Sequence, residues 1–266
     1  MKKAILILLV FLCTAATAHA GVSVVGSLTR ENTVVQGDRY EGDIMLRNSD
    51  EKPVEVRIYK KDYLFYADGR NLYDEPGSTP RSNATWLTIQ PAQLTVPPKG
   101  TGAFHYTVQV PKNTNLKGSY WSLLMVEPMA PPAVLPGQEK NKVSVGLQTV
   151  VRYAIQIVTD FGDSGEWQLK FRDKKLVMSE GKRLFEIDIE NVGERWLSPM
   201  VWIELYNAEG APAGRFESSQ KRIYPGCSVR HQMDLTGVPA GTYNAVAIAD
   251  NKDDHVFGGQ YEITIK

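Results

Sequence analysis

The chain has 266 residues, with 30 basic and 30 acidic side chains and a formal net charge of zero. That balance argues against nucleic acid or an anionic membrane as the main partner. The 2 cysteines, Cys13 and Cys227, exclude a disulfide scaffold, so stability has to come from apolar cores.

Met1 to Ala20 reads as a secretory signal peptide: Lys2 and Lys3 precede an apolar run from Ala4 to Leu12, and Ala18-His19-Ala20 offers a small-x-small cleavage pattern before Gly21. The run is too short to span a bilayer, and no second hydrophobic segment follows it. The expected mature protein is therefore soluble, crosses no membrane, and resides in a bacterial periplasm. A lipoprotein leader ending at Cys13 is the minor alternative, disfavoured by the bulky Phe11 and Leu12 before it.

The rest of the chain repeats a pattern. Gly42 to Asn48 alternates, enters a polar turn and is followed by Val54 to Tyr59; Phe185 to Asn191 alternates, enters a turn and is followed by Val201 to Tyr206. Each is a strand, an Asn-led turn and a strand. Pro97 to Gly100 then precedes alternating Phe104, Tyr106, Val108 and Val110, as Tyr224-Pro225-Gly226 precedes Val229 to Leu235. Short alternating runs between Gly, Pro and Asn turns, with no sustained helical period after the leader, predict an all-β protein of two tandem immunoglobulin-like β-sandwich domains. The expected divisions are 1–20 for the leader, 21–160 for the first domain and 161–266 for the second, with the Gly/Asp-rich stretch around Phe161 to Gly165 at the boundary.

The strongest single signal is Lys142 to Thr159, where Val143, Val145, Leu147, Thr149, Val151, Tyr153, Ile155 and Ile157 fall on alternate positions. The run exceeds the roughly five or six residues of an ordinary strand and follows a Pro-rich loop, Pro128 to Gly137. Its opening half is expected to lie at a sheet edge and accept a partner strand; covering the first domain's own core is the alternative.

Chemistry is sparse. His105, His231 and His255 have no second ligand at metal spacing. Asp250 to His255 lacks the glycine and distal glutamate of a calcium loop and reads as a hairpin turn. There is no Gly-x-Ser-x-Gly, no phosphate-binding glycine loop, and Cys227 reads as a structural thiol. Tyr59, Tyr63, Phe65, Tyr66, Tyr73, Trp86 and Trp121 fit sheet faces and cores better than a sugar platform. An enzyme, a metal and a cofactor are not expected.

The order of features resembles the PapD-like periplasmic chaperones of pilus and fimbrial assembly. Ser27-Leu28-Thr29-Arg30 resembles that family's first strand, Leu46-Arg47-Asn48-Ser49 its second strand and turn, and Leu94 to Gly100 its leucine and Pro-Gly step. Ser119-Tyr120-Trp121-Ser122-Leu123 through Glu127-Pro128 is similar to the strand that ends in Glu-x-Pro, and Leu147-Gln148-Thr149-Val150-Val151-Arg152 to its donor strand and following basic residue. After Arg152 the chain departs, reading Tyr153-Ala154-Ile155-Gln156-Ile157 where the family has an aromatic-Tyr-Arg-Pro ending.

The resemblance implies a chaperone that lends Val143, Val145 and Leu147 to the open groove of a pilin-like or fibre subunit, with an outer-membrane usher as a further partner. It also implies that Arg30 and Arg152 form a basic pair anchoring the subunit's C-terminal carboxylate. From the residues alone, Arg152 fits a solvated strand arginine equally well, since it alternates with Val151 and Tyr153. The competing function is a secreted two-sandwich adhesion or scaffold protein that binds cell-wall or surface partners.

Overall fold

The computed structural model describes residues 21–112, 115–129 and 150–266, and among these the only helical element is a single 3-10 turn at Ala84–Trp86. The first sandwich uses β1 (Val22–Val24), β2 (Thr29–Thr33), β3 (Arg39–Asn48), β4 (Val54–Phe65), β5 (Asn71–Asp74), β6 (Leu87–Gln90), β7 (Gln93–Val96), β8 (Thr101–Gln109), β9 (Ser119–Pro128) and β10 (Tyr153–Asp160). One sheet runs β1-β3-β8-β6; the other runs β2-β10-β9-β4-β5, with β7 also paired to β4. The second sandwich uses β11 (Leu169–Ser179), β12 (Lys182–Asn191), β13 (Met200–Tyr206), β14 (Pro212–Glu217), β15 (Ser228–Asp234), β16 (Gly241–Asp250) and β17 (Val256–Ile265), ordered β11-β12-β15 and β14-β13-β16-β17.

Pleating accounts for the alternation. In β3, Ile44 and Leu46 point into the first core while Asp43 and Met45 point out; in β8, Phe104, Tyr106 and Val108 point in. The repeated Asn-led turns have one mechanism. Asn48 is fully buried, and its side-chain amide donates to Lys52 C=O at 2.8 Å while its Oδ1 accepts from Asp50 N–H at 2.9 Å. Asn191, also fully buried, donates to Arg195 C=O at 2.6 Å and accepts from Gly193 N–H at 3.0 Å. Each side chain satisfies backbone groups that the turn takes out of the ladder.

Strand pairing stops at Asp160 and resumes at Leu169, but packing does not. Trp121 of β9 and Val158 of β10 belong to the second sandwich's core cluster. The Trp121 ring stacks on Tyr224 at 4.6 Å, and its Nε1 donates to Tyr63 C=O at 2.8 Å. Arg195 pairs with Asp160 at 3.1 Å in a site where both side chains are under 10% exposed. Gly118 (φ 68°) passes so close to the second sandwich that a Cβ there would lie 2.0 Å from the Glu194 carbonyl oxygen, which only glycine tolerates. These contacts join the two sandwiches through one apolar and hydrogen-bonded junction.

Candidate functional site

The long alternating run begins outside the described residues, which exclude 130–149 and with them Val143, Val145 and Leu147. Within the described residues the strand starts at Tyr153, and Val150 to Arg152 lead into it. How β10 is paired defines an edge. β2 runs parallel to it only from Thr29, opposite Gln156, and Gln156 N–H donates to Leu28 C=O at 2.8 Å. Upstream the chain turns away at Gly26 (φ 94°) and joins the other sheet as β1. Tyr153, Ala154 and Ile155 therefore pair with β9 on one side and with no described strand on the other.

Backbone groups alternate along a strand, so Ala154 presents its N–H and C=O to the same side as Gln156, the open one. Val25 and Leu28 (43% exposed each), Val150 (39%) and Val151 (49%) flank this stretch in sequence and along the sheet. An unpaired strand edge beside exposed aliphatic side chains is a template for another strand.

The two arginines expected to act as a pair are not brought together. Arg30 is the register partner of Ile157, so it shares the face that Ile155 and Ile157 turn to the first core. There it lies near Tyr106, whose phenol is pushed up by burial against the opposing effect of the Arg30 charge. Arg152 lies across from Glu127, one step before the Tyr153–Val126 pair, and so points to the opposite face, with Gln156 and Val158. Along the strand, position 152 is five residues from 157, ~16 Å at 3.3 Å per residue. Strand register and pleat parity, neither of which follows from residue spacing alone, place Arg30 and Arg152 on opposite faces of β10's sheet.

Arg152 has a different neighbour. Its Nε lies 2.9 Å from Glu127 Oε1, while Arg57 Nη2 lies 2.7 Å from Oε2 of the same carboxylate. Glu127 of β9 pairs with Arg57 of β4, and Arg152 lies just before the start of β10, in line with them. Hydrogen bonding from Arg57, reinforced by the Arg152 charge and the Tyr59 hydroxyl, holds the Glu127 carboxyl below the usual carboxylate range despite some desolvation. The Arg57 guanidinium also lies 5.1 Å from the Tyr59 ring centroid. Glu127 is 14% exposed, whereas Arg57 and Arg152 are 57% and 58% exposed. The carboxylate is therefore a recessed strut under two accessible cations. Sequence reasoning missed Arg57 altogether and noticed Glu127 only as a strand ending; their alternation with apolar neighbours marked an outward face and nothing more.

A second polar group lies at the junction. Glu31 pairs with Arg222 at 3.1 Å, Arg222 stacks 3.8 Å over Trp196, and Tyr224 Oη donates to Gln156 at 2.6 Å. Here charges match one to one, and the pair ties β2 to the second sandwich. Cys227 is fully buried, with its thiol pushed up to about 12 by desolvation, which suits a structural residue. Among the described residues no group of three or more His, Cys, Asp or Glu is placed to hold a metal, and no helix is long and apolar enough to cross a membrane.

No family model matches the chain, and no curated protein matches it. Solved structures similar to it include the class 5 fimbriae chaperone CfaA, at 11% identity over 92% of this chain and 100% of that one, with a TM-score of 0.49. The E. coli chaperone DraB is 13% identical over 92% of this chain and 97% of its own, with a TM-score of 0.42. The CsuC–CsuE chaperone–tip adhesion subunit complex from Acinetobacter baumannii is 10% identical over 79% and 89%, with a TM-score of 0.43.

Proposed function

We propose that this chain is a periplasmic chaperone of surface-fibre assembly that holds a pilin-like subunit by donating a strand. The observation that carries the reading is the half-open edge of β10: among the described residues, Tyr153 to Ile155 are bonded only to β9, with Val25, Leu28, Val150 and Val151 exposed around it. A subunit lacking one strand of its own sandwich has an apolar groove and an unsatisfied backbone edge. An added strand supplies both needs at once, through hydrogen bonds and alternate aliphatic side chains. The alternating Val143, Val145 and Leu147, upstream of this edge in sequence, are the side chains proposed to fill the groove. The role needs no catalytic group, and an outer-membrane usher is the proposed recipient of the loaded complex.

Co-purification from a periplasmic extract, with mass spectrometry of what is retained, is the test. A small β-rich subunit is the expected companion; a wall polysaccharide or peptidoglycan fragment in its place would favour the adhesion or scaffold alternative. Changing Ala154 to Pro removes the N–H that faces the open side and leaves the neighbouring pairs with β9 in place. Val145 and Leu147 changed together to Ser remove two aliphatic contacts worth roughly 1.5–3 kcal/mol each in a buried complex. Both variants should lose the subunit while keeping a urea midpoint close to the parent's. An unfolding free energy lowered by several kcal/mol in the Ser double variant would place those residues in the chaperone's own core and end the donor assignment.

A further inference from the structure

We propose that the tip of the β11–β12 hairpin docks on the surface of an anionic bilayer. The segment reads Lys174-Lys175-Leu176-Val177-Met178-Ser179-Glu180-Gly181-Lys182-Arg183, an apolar stretch between two basic pairs with a single acid. The chain's overall neutrality thus conceals a local excess of positive charge. Ser179 pairs with Lys182 across a two-residue turn whose members, Glu180 and Gly181, have φ of 51° and 76°, the backbone that a tight hairpin requires. A Cβ on Gly181 would meet nothing within 4 Å, so the turn projects into open space. Met178, one residue before the turn begins, is 68% exposed.

Leu176, Val177, Met178 and Thr264, with Arg183 and Lys266, line a cavity of about 220 Å³ beside the tip, and both charged residues in its wall are cations. Arg183 donates to Val238 C=O at 2.9 Å and to Lys266 C=O at 3.1 Å, and Lys174 Nζ lies 4.4 Å from the Tyr261 ring centroid. Among the described residues, Lys174, Arg183 and Lys266 have no carboxylate partner, whereas Lys175 has Glu186 at 3.3 Å and Lys182 has Asp234 at 3.4 Å. The unmatched cations come from β11, β12 and the end of β17, so they surround the protruding aliphatic residues. A flat anionic surface matches that arrangement: apolar side chains enter the acyl boundary while long cationic stems hold their heads among the headgroups. β12 runs ten residues from the tip to Asn191, near the Glu194 contact of the junction, or ~30 Å. A protein docked by this end keeps the β10 edge clear of the surface, and the contact does not depend on strand donation.

The test is flotation of the secreted protein with vesicles of phosphatidylcholine and phosphatidylglycerol in equal parts, compared with vesicles of phosphatidylcholine alone. Binding to the anionic vesicles should be about tenfold stronger and should fall toward the neutral level in high salt. Met178→Ser, and Lys174→Gln combined with Lys266→Gln, should each weaken it several-fold while keeping a urea midpoint close to the parent's. Arg57→Ala, at the other accessible cations, should leave it unchanged. In Met178→Trp, anionic vesicles should move the emission to shorter wavelength relative to the parent. Equal flotation with both kinds of vesicle, or with neither, would overturn the proposal. Anionic binding that survives both tip variants, or that is lost on Arg57→Ala, would place the contact elsewhere and overturn the tip assignment. A Met178→Trp emission that responds to a periplasmic protein fraction and not to vesicles would give the tip a protein partner and overturn the bilayer.

Discussion

The two sandwiches treat their edges in opposite ways. In the first, no described strand pairs with one side of β10 at Tyr153 to Ile155, which lie among exposed aliphatic residues. In the second, the edge strand β11 carries Lys170, Arg172, Asp173, Lys174 and Lys175, with a register break between Phe171 and Lys174. Charges and irregular pairing are how natural sheets repel added strands. The β11 charges also engage β12, where Arg172 pairs with Glu190 at 2.6 Å and Lys175 with Glu186 at 3.3 Å. Among the described residues, one architecture thus has a half-open edge in the first sandwich and a charged flank in the second. The half-open edge belongs to the strand that continues into the junction.

The junction is where the two sandwiches are expected to depend on each other most. Trp121→Ala removes a side chain that is 2% exposed, its stack on Tyr224 and its hydrogen bond to Tyr63. The expected cost is about 3–5 kcal/mol of unfolding free energy in urea. A loss below about 1 kcal/mol would mean that the sandwiches are stabilised separately and that the shared core contributes little.

Acid should affect the sandwiches with opposite sign. His231 of the second is buried, and desolvation, aided by the charge of Lys221, depresses its pKa to about 4. The unfolded chain takes up that proton near pH 6.5 while the folded chain does not. Stability is therefore intact above about 6.5 and falls by about 1.4 kcal/mol per pH unit down to 4, roughly 3 kcal/mol in all. His105 of the first sandwich is exposed, and its hydrogen bond with Asp43 raises its pKa. Its small contribution is present at acidic pH and fades as pH rises through the folded value. Urea midpoints measured from pH 7 to 4 should fall steeply, and less so in His231→Gln; an unchanged slope in that variant would assign the acid sensitivity elsewhere.

The Asn-led turns are the point at which the sandwiches should behave alike. Asn48→Ala and Asn191→Ala each remove the side-chain partner of turn carbonyl and N–H groups that are partly or fully buried, at an expected cost of about 1–3 kcal/mol apiece. Unequal losses would show that the shared turn motif is stabilised differently in its two settings.

Much of the fold could be read along the chain. Alternation at Ile44, Leu46, Phe104, Tyr106 and Val108 marked the inward faces, and the repeated asparagines marked turns whose hydrogen bonds the structure supplies. The candidate edge was legible only in part. An alternating run after a Pro-rich loop suggested an accessible strand, but the reason β10 is open is that β2 starts opposite Gln156 after the chain crosses from the other sheet. Nothing local to residues 150–155 specifies where a strand more than a hundred residues earlier will begin to pair.

Chain-local chemistry therefore determined the all-β character, the turns and which side chains alternate, because pleating and turn preferences act over two to four residues. Only the tertiary structure decided register and parity. It put Arg30 and Arg152 on opposite faces, and it aligned Arg57 of β4 and Glu127 of β9 with Arg152, just before β10. It also carried Trp121 of the first sandwich into the core of the second. Register is set by the packing of two whole faces against each other, and a shift of one residue would exchange every inward side chain for an outward one. That is a property of paired strands, and no single segment contains it.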